Sequence, residues 1–176
     1  AFAAFFETAR AEAPPLRWAA DAEGNAPYIF QEPNNTTENI GFEVDIANAI
    51  ARILGRDAVF VQNQWAGLIP GLARNDYDIA LNGIEITEDR RAEVDFSIPY
   101  YFTYFQLVVR AKTDDVVSLK DVSNRTVGAL KGSYAEKVLQ NVPGSTVLTY
   151  EGELFGFGDL KNGRIQVWVA DYVPGK

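Results

Sequence analysis

Residues 82–91, NGIEITEDRR, put a helix start directly after an Asn-Gly turn. Thr87 reads as the N-cap, with Glu88 and Asp89 in the first turn, where acidic side chains suit the positive end of the helix dipole. Arg90 then stands where a capping box would place Glu or Gln. A cation there costs roughly 0.3–1 kcal/mol at an exposed site, so it needs a reason beyond helix formation. A surface arginine paired with Glu93 or another neighbour is one such reason, and Arg91 next to it reads as surface. Other chemistry is scarce. The chain has no Cys and no His, which removes disulfides, thiol catalysis, the commonest metal ligand and the usual general base. No metal and no cofactor is expected.

The chain of 176 residues suits one ordinary domain or two small lobes, and 47% hydrophobic content is that of a globular protein. A net charge of −8 without any basic cluster argues against nucleic acid. No apolar run is long enough to span a membrane. There is no Met, so a processed or trimmed chain is expected. The opening AFAAFFETARAEAPP carries an Ala-x-Ala at Ala11–Ala13 that fits the tail of a secretory signal, although Pro14 suits a cleavage site poorly. A short amphipathic helix is the alternative.

The elements that must position Arg90 follow from periodicity. LRWAA reads as a strand, and DAEGNAPYIFQEPNNTTEN as a polar, turn-rich connection. In GFEVDIANAIARILG, Phe42, Ile46, Ile50, Ile53 and Leu54 share one helical face, and Gly55 closes the helix. AVFVQ reads as a buried strand, WAGLIPGLARN as a short helix with Pro70 near its first turn, and YDIAL as a strand ending at Asn82-Gly83. Strand–helix–strand–helix–strand predicts a mostly parallel sheet covered on both faces. YFTYFQLVVR reads as a strand leaving this unit. A second α/β unit follows: SLKDV, RTVGAL, GSYAEKVLQNV with a Ser133…Glu136 capping box, STVLTY, ELFGFGDLKNG and RIQVWVA.

GFEVDIANAIARILG, WAGLIPGLARNDYDIALNG, ITEDRRAEVDFSIPYY, LVVR, SLKDV, TVGALKGSYAE and LKNGRIQVWVADY occur in the order and spacing of a known family. Together they resemble the periplasmic solute-binding proteins that deliver polar amino acids to ABC transporters, the bacterial extracellular solute-binding family 3. The resemblance implies an α/β, two-lobed periplasmic-binding-protein fold of type II. Its sheets would be mostly parallel with helices on both faces, closing on a ligand in the cleft. Residues 15–107 would form lobe 1, 108–171 lobe 2, and 172–176 the start of a return crossover. The helices with which relatives finish lobe 1 would be missing. A chain ending there would expose apolar surface on lobe 1, favouring poor solubility or a covering partner.

The resemblance also assigns roles. Arg90 matches the arginine that clamps the ligand's α-carboxylate, a task for which a planar guanidinium gives two parallel charge-assisted hydrogen bonds. Asp171 matches the acid that holds the α-ammonium; an exposed hinge charge is its alternative. Asn82 and Gly83 sit where relatives touch the ligand, or form only a turn. Trp65 matches an aromatic wall or is a core residue. Ser133 and Tyr134, in KGSYAE, match the second-lobe loop facing the carboxylate, although Ser133 also fits a simple cap. Asp21 ends the first strand and can face the cleft. The usual second aromatic is displaced to Tyr28, with Gly24 and Asn25 near its place. Glu85 departs from the Ser or Thr common in relatives: it either pairs with Arg90, faces the ligand's ammonium, or only bridges the lobes. An anion there favours a neutral or basic ligand.

The expectation is therefore extracytoplasmic, periplasmic binding of an amino acid by a monomer that docks on the membrane permease of an ABC importer, free or fused to it. Catalysis is not expected. The alternatives are a cyclohexadienyl dehydratase acting on prephenate or arogenate, with Glu85 or Asp171 as acid, and the ligand-sensing domain of a receptor.

Overall fold

A computed structural model describes residues 13–23 and 26–171. The Ala11–Ala13 motif falls largely, and Gly24, Asn25 and 172–176 wholly, outside those residues.

The first lobe is built on β1 (Leu16–Ala20), flanked in parallel by β4 (Ala58–Gln62) and β5 (Ile79–Ala80). Because strand side chains alternate, β1 feeds two cores. Trp18 and Ala20 pack with Ala47 of α1 (Phe42–Ile53), while Ala19 packs with Leu68 of α2 (Leu68–Ala73) and Tyr77. The sheet is thus covered on both faces. Pro70 sits in the first turn of α2, where its missing N–H costs nothing.

Three local readings are corrected. The buried stripe of α1 is Glu43, Ala47 and Ala51; Ile53 and Leu54 are exposed. Small alanines let the helix approach the sheet closely, so the rotation of α1 follows contact rather than bulk hydrophobicity. β4 is half-exposed, not buried, because it is an edge strand. The polar connection contains an antiparallel hairpin, β2 (Phe30–Glu32) and β3 (Asn35–Ile40), invisible to periodicity because β3 is mostly exposed and carries no apolar alternation. The closure of α1 is as expected. Gly55, at φ 63°, donates to Arg52 O, and Arg56 donates to Ala51 O, the paired bonds of a Schellman end.

In the second lobe, β6 (Phe105–Val109), β7 (Thr126–Leu130), β8 (Thr146–Tyr150) and β9 (Val167–Asp171) form a sheet in the order β6-β9-β7-β8. Only the β6–β9 pair is antiparallel. All of β6 pairs with β9, so the change of lobe expected at residue 108 falls inside a strand. Val167 and Val169 of β9 face the core shared with α4 (Tyr134–Gln140), and Trp168 faces α5 (Glu153–Lys161). Trp168 fits only because Gly156 lacks a side chain: a Cβ there would lie 2.1 Å from the indole. In the α4 cap, Ser133 Oγ accepts the Glu136 N–H, but Glu136 returns its carboxylate to Gly132 N–H instead of Ser133, so the capping box is not reciprocal.

The first-lobe site loop is anchored from behind by Glu43. Its Oε1 accepts the Gly83 N–H at 2.7 Å and the Tyr100 hydroxyl at 2.6 Å, while Oε2 has no hydrogen-bond partner among the described residues. Burial raises the Glu43 carboxyl above its ordinary value, and the two hydrogen bonds oppose that shift. Ile98 and Phe102, in the segment between Arg91 and β6, stand exposed on the same lobe.

A raised carboxyl stabilises the fold below its unfolded value and loses that contribution as pH rises through the folded value. Glu43→Gln should therefore flatten the pH dependence: between pH 5 and pH 8 the wild type loses stability relative to the variant. Urea midpoints at the two pH values measure this, and parallel pH curves would contradict it.

Candidate ligand-binding site

The strand ends converge on one cleft, as parallel sheets require. Asp21, at the carboxyl end of β1, is buried and held in place: its N–H donates to Asn82 Oδ1 at 2.8 Å, its Oδ2 accepts the Trp65 N–H at 3.1 Å, and its Oδ1 accepts from Gln62 Nε2 at 3.1 Å. This network welds the ends of β1, β4 and β5 together and fixes the turn that carries Trp65.

Between the lobes lies a cavity of about 330 Å³. Of the residues singled out in the sequence, Trp65, Asn82, Glu85, Ser133 and Asp171 line it. Asn82 is 3% exposed, and among the described residues its Nδ2 has no hydrogen-bond partner. Ser133 both caps α4 and faces the cavity, so its two readings hold together. The remaining four do not line it. Asp21 sits behind the wall, consumed by the network above. Gly83 faces an adjoining apolar opening, at φ 60°, with the Tyr28 ring where a Cβ would project. Tyr134 packs on Phe105 at 6.1 Å, beside a neighbouring opening. Arg90 also lies outside the wall, and its position is explained by its partners.

The Arg90 guanidinium is drawn between the lobes. Nη1 donates to Glu85 Oε2 at 2.6 Å and to Glu85 O at 2.8 Å, while Nη2 reaches Gly132 O of the second lobe at 2.9 Å. The guanidinium also stands 5.7 Å over the Trp65 ring, within cation–π range. Neither side chain of the pair is well exposed, at 13% for Arg90 and 21% for Glu85. Of the alternatives open for Glu85, the structure shows pairing with Arg90. Glu93 is not the partner. The ion pair of Lys137 with Asp89 likewise joins the two lobes, alongside the Arg90–Gly132 hydrogen bond.

Asp171 closes the cavity at the end of β9. Its Oδ2 accepts the Tyr28 hydroxyl at 3.1 Å, and its main-chain oxygen accepts Gln106 Nε2 at 3.3 Å. Its carboxyl is pushed up to about 6, first by burial and then by the Glu85 carboxylate; the Tyr28 hydrogen bond opposes this. Sequence reasoning treated Tyr28 as displaced, yet it lines the cavity. Gln106, Phe105, Glu153 and Phe157 line it too and were missed. They arrive on β6 and α5 through long-range pairing, and local pattern gave no signal for them. Among the described residues no group of acids could hold a metal, and no helix is long and apolar enough to cross a membrane.

Residues 16–169 match the family model of bacterial extracellular solute-binding proteins, family 3. The chain belongs to this family. Within the solute-binding family, it is 31% identical over 137 residues to ABC transporter arginine-binding protein 1 of Escherichia coli, covering 77% of this chain and 56% of that protein. It is also 31% identical over 147 residues to the L-cystine-binding protein TcyJ of the same species, covering 82% and 54%. Among solved structures, the arginine-bound truncated ArgBP of T. maritima superposes with a TM-score of 0.82 at 30% identity, covering 90% of this chain and 74% of that one. An ancestral amino-acid-binding protein described as a precursor of cyclohexadienyl dehydratase matches equally, with a TM-score of 0.82 at 31% identity, covering 89% and 70%. The chain spans little more than half the length of these curated relatives.

Asp171 carries a testable cost. Its folded value of about 6 lies above the ordinary carboxyl value of 3.8, so its stabilising contribution is complete below 3.8 and lost as pH rises through 6. Asp171→Asn should therefore raise the stability of the ligand-free protein at pH 7 by on the order of 1–2 kcal/mol, allowing for partial solvent screening. At pH 3.5 the gain should vanish. Denaturant melts at both values would show it, and equal stability at pH 7 would argue against the buried charge.

Proposed function

We propose that this chain binds an amino acid in the interlobe cavity, without catalysis, in an extracytoplasmic, periplasmic setting for delivery to the permease of an ABC importer. The observation that carries this reading is one cavity lined from both lobes, with the Asn82 amide and the Trp65 ring on one side and the partly buried carboxylate of Asp171 on the other. A zwitterion matches both. Its ammonium neutralises Asp171, which otherwise sits ionised at a cost, and its carboxylate takes donors from Asn82, Ser133 and Arg90. Trp65 and Tyr28 supply apolar walls for the side chain. The volume, about 330 Å³, is at the small end of ligand pockets and fits a single amino acid.

Closure is part of this function. Arg90 to Gly132, Tyr28 to Asp171 and Lys137 to Asp89 all link one lobe to the other. A ligand that engages both lobes adds to those links, and so favours the closed state through its differential affinity. Names of relatives support an amino-acid ligand, since the first two are arginine- and cystine-binding proteins.

One observation favours a second reading. A carboxyl near 6 in a cleft is suited to general acid chemistry, and one structural relative is described as a dehydratase precursor. Loss of the prephenate absorbance on incubation with the protein would establish that activity in place of binding alone.

Calorimetric titration with common amino acids tests the leading reading. Binding should weaken as pH falls below 6, approaching tenfold per unit, because the ammonium needs an ionised Asp171. Asp171→Asn should cost about 2 kcal/mol or more, as expected for a buried charge contact, and remove most of this pH dependence. Unchanged affinity in that variant would exclude Asp171 from the site.

A further inference from the structure

A carboxylate already holds the guanidinium that an amino acid's carboxylate would use. Glu85 Oε2 accepts from Arg90 Nη1 at 2.6 Å, and the pair is mostly shielded. Glu85 lines the cavity, whereas Arg90 lies outside its wall. Nη1 spends both its hydrogens on Glu85, so a ligand carboxylate that takes Nη1 displaces Glu85 Oε2 and leaves a second carboxylate in the cavity with Asp171. An uncompensated charge in such a setting is strongly unfavourable.

The charge inventory says which ligands can bear this. Among the described residues, the cavity wall carries the carboxylates of Glu85 and Asp171 and no lysine or arginine. A zwitterion brings one cation for these acids, and Asp171 uses it. A ligand with a second cation on its side chain brings the partner that a displaced Glu85 needs.

We infer that Glu85 is a specificity-determining residue, which holds Arg90 in the free protein and becomes the counter-ion of a cationic ligand side chain in the complex. The ligand class is an amino acid with a basic side chain, and neutral amino acids are rejected because they leave Glu85 unpaired. This inference rests on the amino-acid-binding reading above and adds the selection rule to it. Trp65, beneath the Arg90 guanidinium, supplies an aromatic face along the same path.

Titration of the wild type, Glu85→Ser and Glu85→Gln with L-arginine, L-lysine, L-glutamine and agmatine tests it, with circular dichroism confirming that each variant is folded. The wild type should bind arginine or lysine at least about 30-fold tighter than glutamine, the low end for leaving one member of a buried charge pair alone. Glu85→Ser should lose affinity for the basic ligand and gain it for glutamine, so that the ratio collapses; Glu85→Gln should follow in the same direction. Agmatine, which lacks the carboxylate that displaces Glu85, should bind more weakly than arginine. Equal wild-type affinity for glutamine and arginine, or an unchanged ratio in Glu85→Ser, overturns the role of Glu85 while leaving amino-acid binding intact. Agmatine binding as tightly as arginine also overturns it. Failure of every folded protein to bind any of the amino acids brings down the amino-acid reading itself, and the selection rule with it.

Discussion

A guanidinium held between two lobes and largely shielded from water must have acceptors at all times. Arg90 meets this need in the free protein through the carboxylate and carbonyl of Glu85 and the carbonyl of Gly132. Much of the site follows from that requirement. Glu85 stays near the cavity because Arg90 holds it. The lobes stay close because one of the three acceptors comes from the far side. Asp171 titrates high partly because the Glu85 carboxylate is near.

Around this pair, the protein separates rigid from exchangeable interactions. The Asp21 network and the Glu43 anchor are buried and tie strand ends and loop together, so they set where Trp65, Asn82 and Gly83 stand. The contacts that cross between lobes are few and partly exposed, which suits an equilibrium between open and closed forms. Stability is placed in the scaffold. Strain of electrostatic origin is placed in the cavity, where Asp171 bears a charge that the isolated fold would be better without.

The likeness to relatives covers most of this chain but little more than half of theirs. What the described residues contain is nonetheless the chemistry-bearing part of the cleft, with strand ends from both lobes. The exposed Ile98 and Phe102 lie in the segment between the lobes' sheets, away from the buried clusters of either core.

Sequence alone determined the parallel α/β order, the caps at Thr87, Ser133 and Gly55, and the division into two α/β units, because periodicity and capping are local and Gly55 needs its left-handed turn whatever surrounds it. The resemblance to the family brought Trp65, Asn82, Glu85, Ser133 and Asp171 into consideration, and all five line the cavity. Tertiary structure decided the rest. That α1 turns Ala47 and Ala51 inward and leaves Ile53 exposed depends on how closely a helix can approach a sheet. That Asp21 serves the scaffold, that Tyr28 and Gln106 hold Asp171, and that Glu85 takes Arg90 depend on which groups meet after folding. Side-chain identity fixes what a group can bond, but only three-dimensional proximity fixes which competing partner it bonds first.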